Sequence, residues 1–374
     1  MNSNIRAGSL FGIPFYINPS WFLVLGLVTL TYGNGLANQF PFLTGGIPLL
    51  LGLATALLMF ASVVAHELGH SAVALRQGIR VNSITLFLFG GLASLEKESQ
   101  TPAGAFWVAI AGPLVSFLLF GIATLLGSTL HLTGPAGSIL GLLAYVNLSL
   151  GVFNLIPGLP LDGGNILKAA VWKITGNPYK GVKFASGVGQ FFGWIAIASG
   201  VLPFLISGSF GNIWNVLIGA FLLQNAGRSA QYARVQEQFE GLTAADAVTP
   251  NGPIVSGQLS LREFADQIVL GNDKNWRQFL VINHEGQLLG VIAVDTLHTI
   301  PTDRWESTPV SSLAKSLEAS ATIDSEQPLM DVVQRLEANR LSNLTVIHNG
   351  FLVGLLEKAY ILDLLQQRRQ TSPV

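Results

Sequence analysis

The chain contains no cysteine among its 374 residues. That excludes a disulfide framework and any thiolate metal site, so a bound metal must be held by His, carboxylate or carbonyl. Charge is scarce as well: 11% of residues are charged, 50% are hydrophobic and the mean hydropathy is +0.50. A single soluble globular protein, with about a quarter of its residues charged, is excluded. The net charge of -1 and a pI near 6.6 leave no basic footprint, so a nucleic-acid partner is not expected. The scarcity is uneven, because residues 1 to 227 hold 8 of the 20 Lys+Arg and 4 of the 21 Asp+Glu. A membrane domain followed by a soluble, mildly acidic one is the division this implies.

Three stretches lack any Asp, Glu, Lys or Arg: Ala7 to His66, Ser99 to Leu161 and Phe184 to Gly227. One helical crossing needs roughly 20 apolar residues, so each stretch holds two crossings and a turn. The turns are expected at Gly33 to Gly46, His131 to Gly137 and Ser207 to Asn212, giving six spans. Arg6, Arg76, Arg80, Lys97, Lys168, Lys173, Lys180, Lys183, Arg228 and Arg234 all fall between the pairs and none in the turns. The positive-inside rule then places both termini and the soluble domain in the cytosol. A signal peptide with Trp21 to Leu30 as its core is disfavoured by the long aromatic, Pro-containing lead before it. Ser9 to Asn18 and Val81 to Phe89 are short, aromatic, β-branched and bounded by Gly or Pro, and read as strands. They belong at the cytosolic face or against protein, since lipid does not tolerate exposed strand edges.

The strongest local signal is His66-Glu67-Leu68-Gly69-His70, directly after the uncharged run Ile47 to Ala65. On a helix His66 and His70 share a face and can ligate one Zn2+, with Glu67 beside them to take a proton from water. The pattern also occurs by chance on solvated helices, but at the end of a membrane helix such a cluster is functional by default. A catalytic zinc wants a third protein ligand. Besides Glu67, the acidic residues before residue 228 are Glu96, Glu98 and Asp162. Glu96 and Glu98 flank Lys97 and read as a solvated loop. Asp162, in Asn154-Leu-Ile-Pro-Gly-Leu-Pro-Leu-Asp-Gly-Gly164, reads alone as an Asp-Gly turn and, paired with the histidines, as the ligand. His131 lies in a turn on the opposite face and reads as solvated.

HExxH in one span, N-x-x-P-x-x-P-x-D-G-G in a later one, and Phe89-Gly90-Gly91 and Ala111-Gly112-Pro113 between them resemble the site-2 proteases, intramembrane zinc metalloproteases, over about residues 8 to 228. The resemblance implies that His66, His70 and Asp162 ligate zinc, that Glu67 is the general base, and that Asn154 helps to hold the substrate peptide or its oxyanion. The alternative for Asn154 is interhelical hydrogen bonding, as for Asn147. Ser116 departs from the Asn of many relatives; both are small polar helix-contact residues. The reaction expected is Glu67-assisted hydrolysis by water activated at zinc, with the lipid-embedded substrate unwound locally and held extended against Ile84 to Leu88.

After a connector from Arg228 to Glu240 the sequence repeats: His284-Glu-Gly-Gln-Leu-Leu-Gly290 matches His348-Asn-Gly-Phe-Leu-Val-Gly354 at an offset of 64. Each follows an apolar strand, Phe279 to Ile282 and Leu344 to Ile347, with helices expected near Leu261 to Val269, at Leu329 to Ala338 and ending at Leu362 to Leu365. This resembles a tandem pair of cystathionine-beta-synthase (CBS) domains over roughly 243 to 369, at about 243 to 301 and 307 to 369. Many such modules bind adenosine nucleotides through Thr/Ser and an Asp three residues on. The corresponding places here, Ala293 with Thr296 and Glu357 with Tyr360, lack that pattern, so a structural or homodimerising role is an equal expectation. His284 and His348 read as hairpin-turn residues.

The expected architecture is thus a polytopic α-helical membrane protein with short membrane-associated strands over 1 to 228, a linker helix over 229 to 240, and an α+β CBS pair over 241 to 374. The expected activity is intramembrane zinc endopeptidase action on single-pass transmembrane proteins in the lipid bilayer, regulated by the CBS pair. A zinc protease for soluble peptides is disfavoured by the lipid-length sequence around HExxH. A CBS-gated transporter or channel, with the His/Asp cluster as an ion site, leaves Glu67 without a purpose.

Overall fold

The computed structural model describes residues 4–88, 90–208, 212–269, 276–317 and 321–371. Residues 209–211 of the expected turn Ser207 to Asn212, and Phe89, lie outside them. The chain divides into two compact units, Met1–Arg234 and Val235–Val374.

The first unit opens on a β-hairpin, β1 (Ile5–Leu10) and β2 (Ile13–Ile17). Phe11 at φ 52° and Gly12 at φ 80° make its turn, so the single strand expected over Ser9 to Asn18 is instead the tip and return of a hairpin. Helices α1 (Ser20–Gln39) and α2 (Ile47–Arg76) follow, then strands β3 (Val81–Phe87) and β4 (Gly90–Leu95). The four strands form one sheet in the order β1-β2-β3-β4, with β2 and β3 parallel in the register Phe15 to Ile84 and β3 and β4 antiparallel in the register Ile84 to Ala93. β3 is therefore an inner strand. Ile13, Ala74, Ile79, Val81 and Ile84 form the core between sheet and α2.

Helices α3 (Pro102–Thr129), α4 (Gly134–Asn154), α5 (Asp162–Thr175), α6 (Pro178–Ser207) and α7 (Ile213–Phe239) complete the unit. Their starts follow local chemistry. Thr101 accepts from Gly104 N ahead of Pro102, and Asn177 accepts from the N–H groups of Tyr179 and Lys180 ahead of Pro178. Among the described residues five helices are long and apolar enough to cross a membrane: α1, α2, α3, α4 and α6. Large apolar side chains such as Leu118, Leu125 and Ile206 stand exposed on them, as lipid-facing residues do. The sixth expected span falls on α7, whose uncharged part ends at Gly227, short of the roughly 20 residues a crossing takes. That part still runs back along α6. A Cβ on Gly200 would meet Val216 and one on Gly193 would meet Leu223, a pairing that only an antiparallel helical hairpin produces. Past Gly227, α7 continues without a break through the polar segment to Phe239, where a separate connector was expected.

The second unit is a duplication. β5 (Ile254–Ser256), β6 (Gln278–Ile282) and β7 (Leu288–Ala293) form one sheet, and β8 (Thr322–Asp324), β9 (Asn343–His348) and β10 (Phe351–Glu357) the other. In each, a short parallel pair precedes an antiparallel hairpin. The 64-residue offset extends to the backbone: Gly286 and Gly350 share φ 86°, and both hairpins bulge before Gly290 and Gly354. Helix α8 (Leu261–Glu263) continues as a π-helical stretch Phe264–Val269, while its counterpart α9 (Leu329–Ala338) is regular. After β7 only 3-10 turns at Val294–Thr299 stand where β10 is followed by α10 (Lys358–Thr371).

The segment ahead of each repeat packs on the other repeat. Ala244 N donates to Gln327 O and Thr249 N to Leu355 O, and Leu242, Ala244 and Ala247 enter the core of the second repeat. Val310 N in turn donates to Leu259 O, Lys315 N to Val291 O, and Val310 enters the first core. The backbone N–H and hydroxyl of Thr243 hold the Asp246 carboxyl below the ordinary carboxylate range and fix the first exchanged turn.

Candidate active site

α2 carries His66 and His70 one turn apart on its inner face, both buried despite their polarity. The apolar run before them commits the helix to the membrane interior, where an imidazole persists only with partners. Each ring has one. His66 Nδ1 lies 2.9 Å from Ser116 Oγ, and His70 Nδ1 donates to the Val108 carbonyl at 2.7 Å, both on α3. Those bonds leave each Nε2 free to ligate, the arrangement that orients metal-binding histidines. The short loop after α4 brings Asp162, the first residue of α5, to the same point. Its Oδ2 lies 3.1 Å from His66 Nε2 and 3.3 Å from His70 Nε2, and the two Nε2 atoms are 3.2 Å apart.

This triangle is close to, and slightly tighter than, the one a zinc ion holds. Bonds of about 2.0–2.2 Å in a tetrahedral site separate neighbouring donors by about 3.3–3.5 Å. His66, His70 and Asp162 form the metal-competent cluster among the described residues, two imidazoles and one carboxylate with the fourth position left to water. Gly112 on α3 closes the cluster from behind. A Cβ there would stand 2.1 Å from His70 Nε2 and 2.6 Å from His66 Nε2, so hydrogen is the largest group the site admits.

The donors sit in a cavity of about 330 Å3 lined also by Glu67, Gly91, Ala93, Asn154, Asn165 and Lys168. Glu67 packs against β4: a Cβ on Gly91 would stand 2.5 Å from Glu67 Cγ, and Ala93 lines the same cavity. Asn154 lines the same cavity, its amide donating to Leu150 O within α4 at 3.0 Å. Asn147 lies elsewhere and bonds Ser62 Oγ across helices at 3.0 Å, as the packing reading expects. His131 is exposed in its turn at φ 48°.

One sequence reading changes, and two residues read correctly gain a partner. The expected substrate edge at Ile84 to Leu88 is not free, because β2 and β4 occupy both sides of β3; the open edge bordering the cavity is β4. Glu98 stands in an exposed loop as expected, and it also pairs with Lys168 and lines the cavity. Ser116, read as a helix-contact residue, is fully buried and bonded to a ligand histidine. Its place three residues past Pro113 carries no chemical signal, because Val108 and Ser116 touch the histidines only through a helix crossing.

The comparisons agree with this geometry. The family model described as "Peptidase family M50" matches residues 54–136 and 120–196. The Synechocystis protein sll0528, which bears a zinc metalloprotease designation, is 59% identical over 367 residues, 98% of this chain and 96% of that one. Zinc metalloprotease MJ0392 of Methanocaldococcus jannaschii is 30% identical over 97% of this chain and 96% of its own length. Among solved structures, the site-2 protease from Methanocaldococcus jannaschii aligns at 31% identity with a TM-score of 0.43, covering 61% of this chain and 95% of that one. The CBS domain of a bacterial CNNM/CorC family Mg2+ transporter aligns at 12% identity with a TM-score of 0.28, covering 36% of this chain and 93% of its own. With two full-length relatives of the same designation and a buried His-His-Asp triangle at zinc spacing, the chain belongs to peptidase family M50 and is an integral membrane zinc metalloprotease of the site-2 type.

Proposed function

We propose that the chain cleaves single-pass transmembrane proteins within the bilayer, with Glu67 as the proton-transfer group. The carrying observation is that Glu67 lines the cavity of the metal-competent triangle and packs against Gly91 of the edge strand β4. Zinc, held by His66, His70 and Asp162, would supply Lewis acidity toward the scissile carbonyl and acidify water. Glu67 takes the proton of the attacking water and delivers it to the leaving amine. A substrate helix has its carbonyls bonded internally and must unwind to be cut. Pairing along β4, beside Gly91 and Ala93, replaces the lost backbone bonds and sets the extended segment next to Glu67. Asn154, on the cavity wall, offers its amide to the same segment. Incubating purified protein with single-pass candidates should give cleavage that stops with a chelator and returns on adding Zn2+; cleavage indifferent to chelation would overturn the reading.

We infer from the basic residues that both termini and the duplicated unit lie in the cytosol, and the α6–α7 hairpin supports a return to that side. With no native cysteine, single-cysteine labelling is unambiguous. Thr44→Cys should react from outside and Lys173→Cys from the cytosol only; outside labelling of Lys173→Cys would refute this topology.

The duplicated unit, with its hairpin repeats and exchanged segments, is read as a CBS pair that regulates the protease through substrate contacts or a second copy of the chain. Ala293 with Thr296, and Glu357 with Tyr360, lack the Thr/Ser and Asp that contact ribose. ATP and AMP should therefore bind the full-length protein more weakly than about 100 μM, a ΔG° of only about -5.5 kcal/mol, by calorimetry. Low-micromolar affinity would show that the unit senses adenylates.

A further inference from the structure

Lys168 and Glu98 are paired at the cavity that holds the zinc ligands, where neither is a ligand nor the base. The pair is lopsided. Lys168 on α5 is 7% exposed, whereas the Glu98 side chain is 76% exposed. A buried ammonium is costly without a counter-charge, while an exposed carboxylate gains little from one. The Lys168 charge is therefore retained for what it holds.

What it holds is the segment from Glu96 to Thr101, which joins β4 to α3. One side of this segment is fixed to the α2–β3 wall: Glu96 N donates to Arg80 O at 2.9 Å and Ser99 Oγ to Gln77 Oε1 at 2.9 Å. Thr101 then caps α3. Glu98 ties the segment to α5, the helix that opens with Asp162. The segment thus bridges the wall carrying His66 and His70 and the wall carrying Asp162. It begins one residue beyond Leu95, the last residue of β4, and Leu95 lines the same cavity. A shift of Glu98 moves the end of the free strand relative to the ligands.

We propose that Lys168 is a positioning residue that, through Glu98, sets the place of the β4 edge beside the zinc ligands and so determines how firmly an extended substrate is held. This rests on reading the cavity as the proteolytic site. Glu98→Gln and Lys168→Met should each raise KM for a transmembrane substrate by about tenfold with kcat within about twofold, since they touch neither ligands nor base. Zinc content should stay at one per chain. The exchanged pair Glu98→Lys with Lys168→Glu should recover most of the lost affinity, which a residue needed only for folding would not do. A second readout is independent of cleavage. In a Ser99→Cys background, the reporter being the sole cysteine, maleimide should label faster when Glu98→Gln or Lys168→Met is added. Glu98 is exposed, so its variant is expected to fold even if Lys168→Met does not. Unchanged KM and labelling in Glu98→Gln, or a kcat loss at constant KM, would overturn the proposal. If wild-type protein cleaves nothing while the labelling rates change as expected, the protease reading fails and the positioning role stands.

Discussion

Glu67→Gln should bind one Zn2+ per chain while its cleavage rate falls by at least about a thousandfold, within the range that positioned acid–base groups contribute. The reason is spatial. Glu67 lies against Gly91 and Ala93 of β4, outside the triangle formed by His66, His70 and Asp162, so its amide analogue removes the proton acceptor and leaves every donor in place. His66→Ala and Asp162→Ala, by contrast, should lose metal and activity together. Metal content measured by mass spectrometry and cleavage measured on the same preparation separate the cases. Near wild-type turnover in Glu67→Gln would remove this residue from the chemistry.

Gly112→Ala should be as damaging as losing a ligand, although it adds one methyl group to a residue that binds nothing. The new Cβ would stand 2.1 Å from His70 Nε2. Neither imidazole can swing away freely, because Ser116 Oγ and the Val108 carbonyl fix their Nδ1 atoms from the same helix that carries the methyl. Zinc affinity should fall by at least about 100-fold, the upper range for disturbing the support of a metal site. Gly121→Ala, farther along α3 with open space at its Cβ, is the control and should keep both metal and cleavage. Retention of zinc by Gly112→Ala would mean that the α2–α3 contact yields, and that the cradle is softer than its packing implies.

The site was legible where chemistry is written in consecutive residues and obscure where it is written in a crossing. HExxH places two donors by helical periodicity alone, and Asp162 follows because so few carboxylates precede residue 228. Ser116 and Val108 carry no such mark, since a buried serine in an apolar helix has the same sequence whether it orients a histidine or merely packs. β2 and β3 are visible from their aromatic and β-branched runs, but β4, most of β1 and the strand order are not. Phe11-Gly12 reverses the first strand, and β2 then pairs with β3 in parallel, taking the edge that the sequence reading had left to substrate. Glu98 stands in the exposed loop read there, but its tie to the cavity is not written locally, since its partner Lys168 is 70 residues away. In the second unit the hairpin repeat is clear from its glycines, while the helix expected near Leu261 to Val269 is π-helical over Phe264–Val269.

The crossed packing of the segments ahead of the two repeats makes the duplicated unit a single object in every thermodynamic sense. Each core is completed by residues that precede the other repeat in the chain, Val310 for one and Leu242, Ala244 and Ala247 for the other. Neither half can melt while its neighbour stays intact, because the melting of either withdraws part of the other's interior. A disturbance at one hairpin is therefore shared by both, because each interior includes residues that lead into the other repeat.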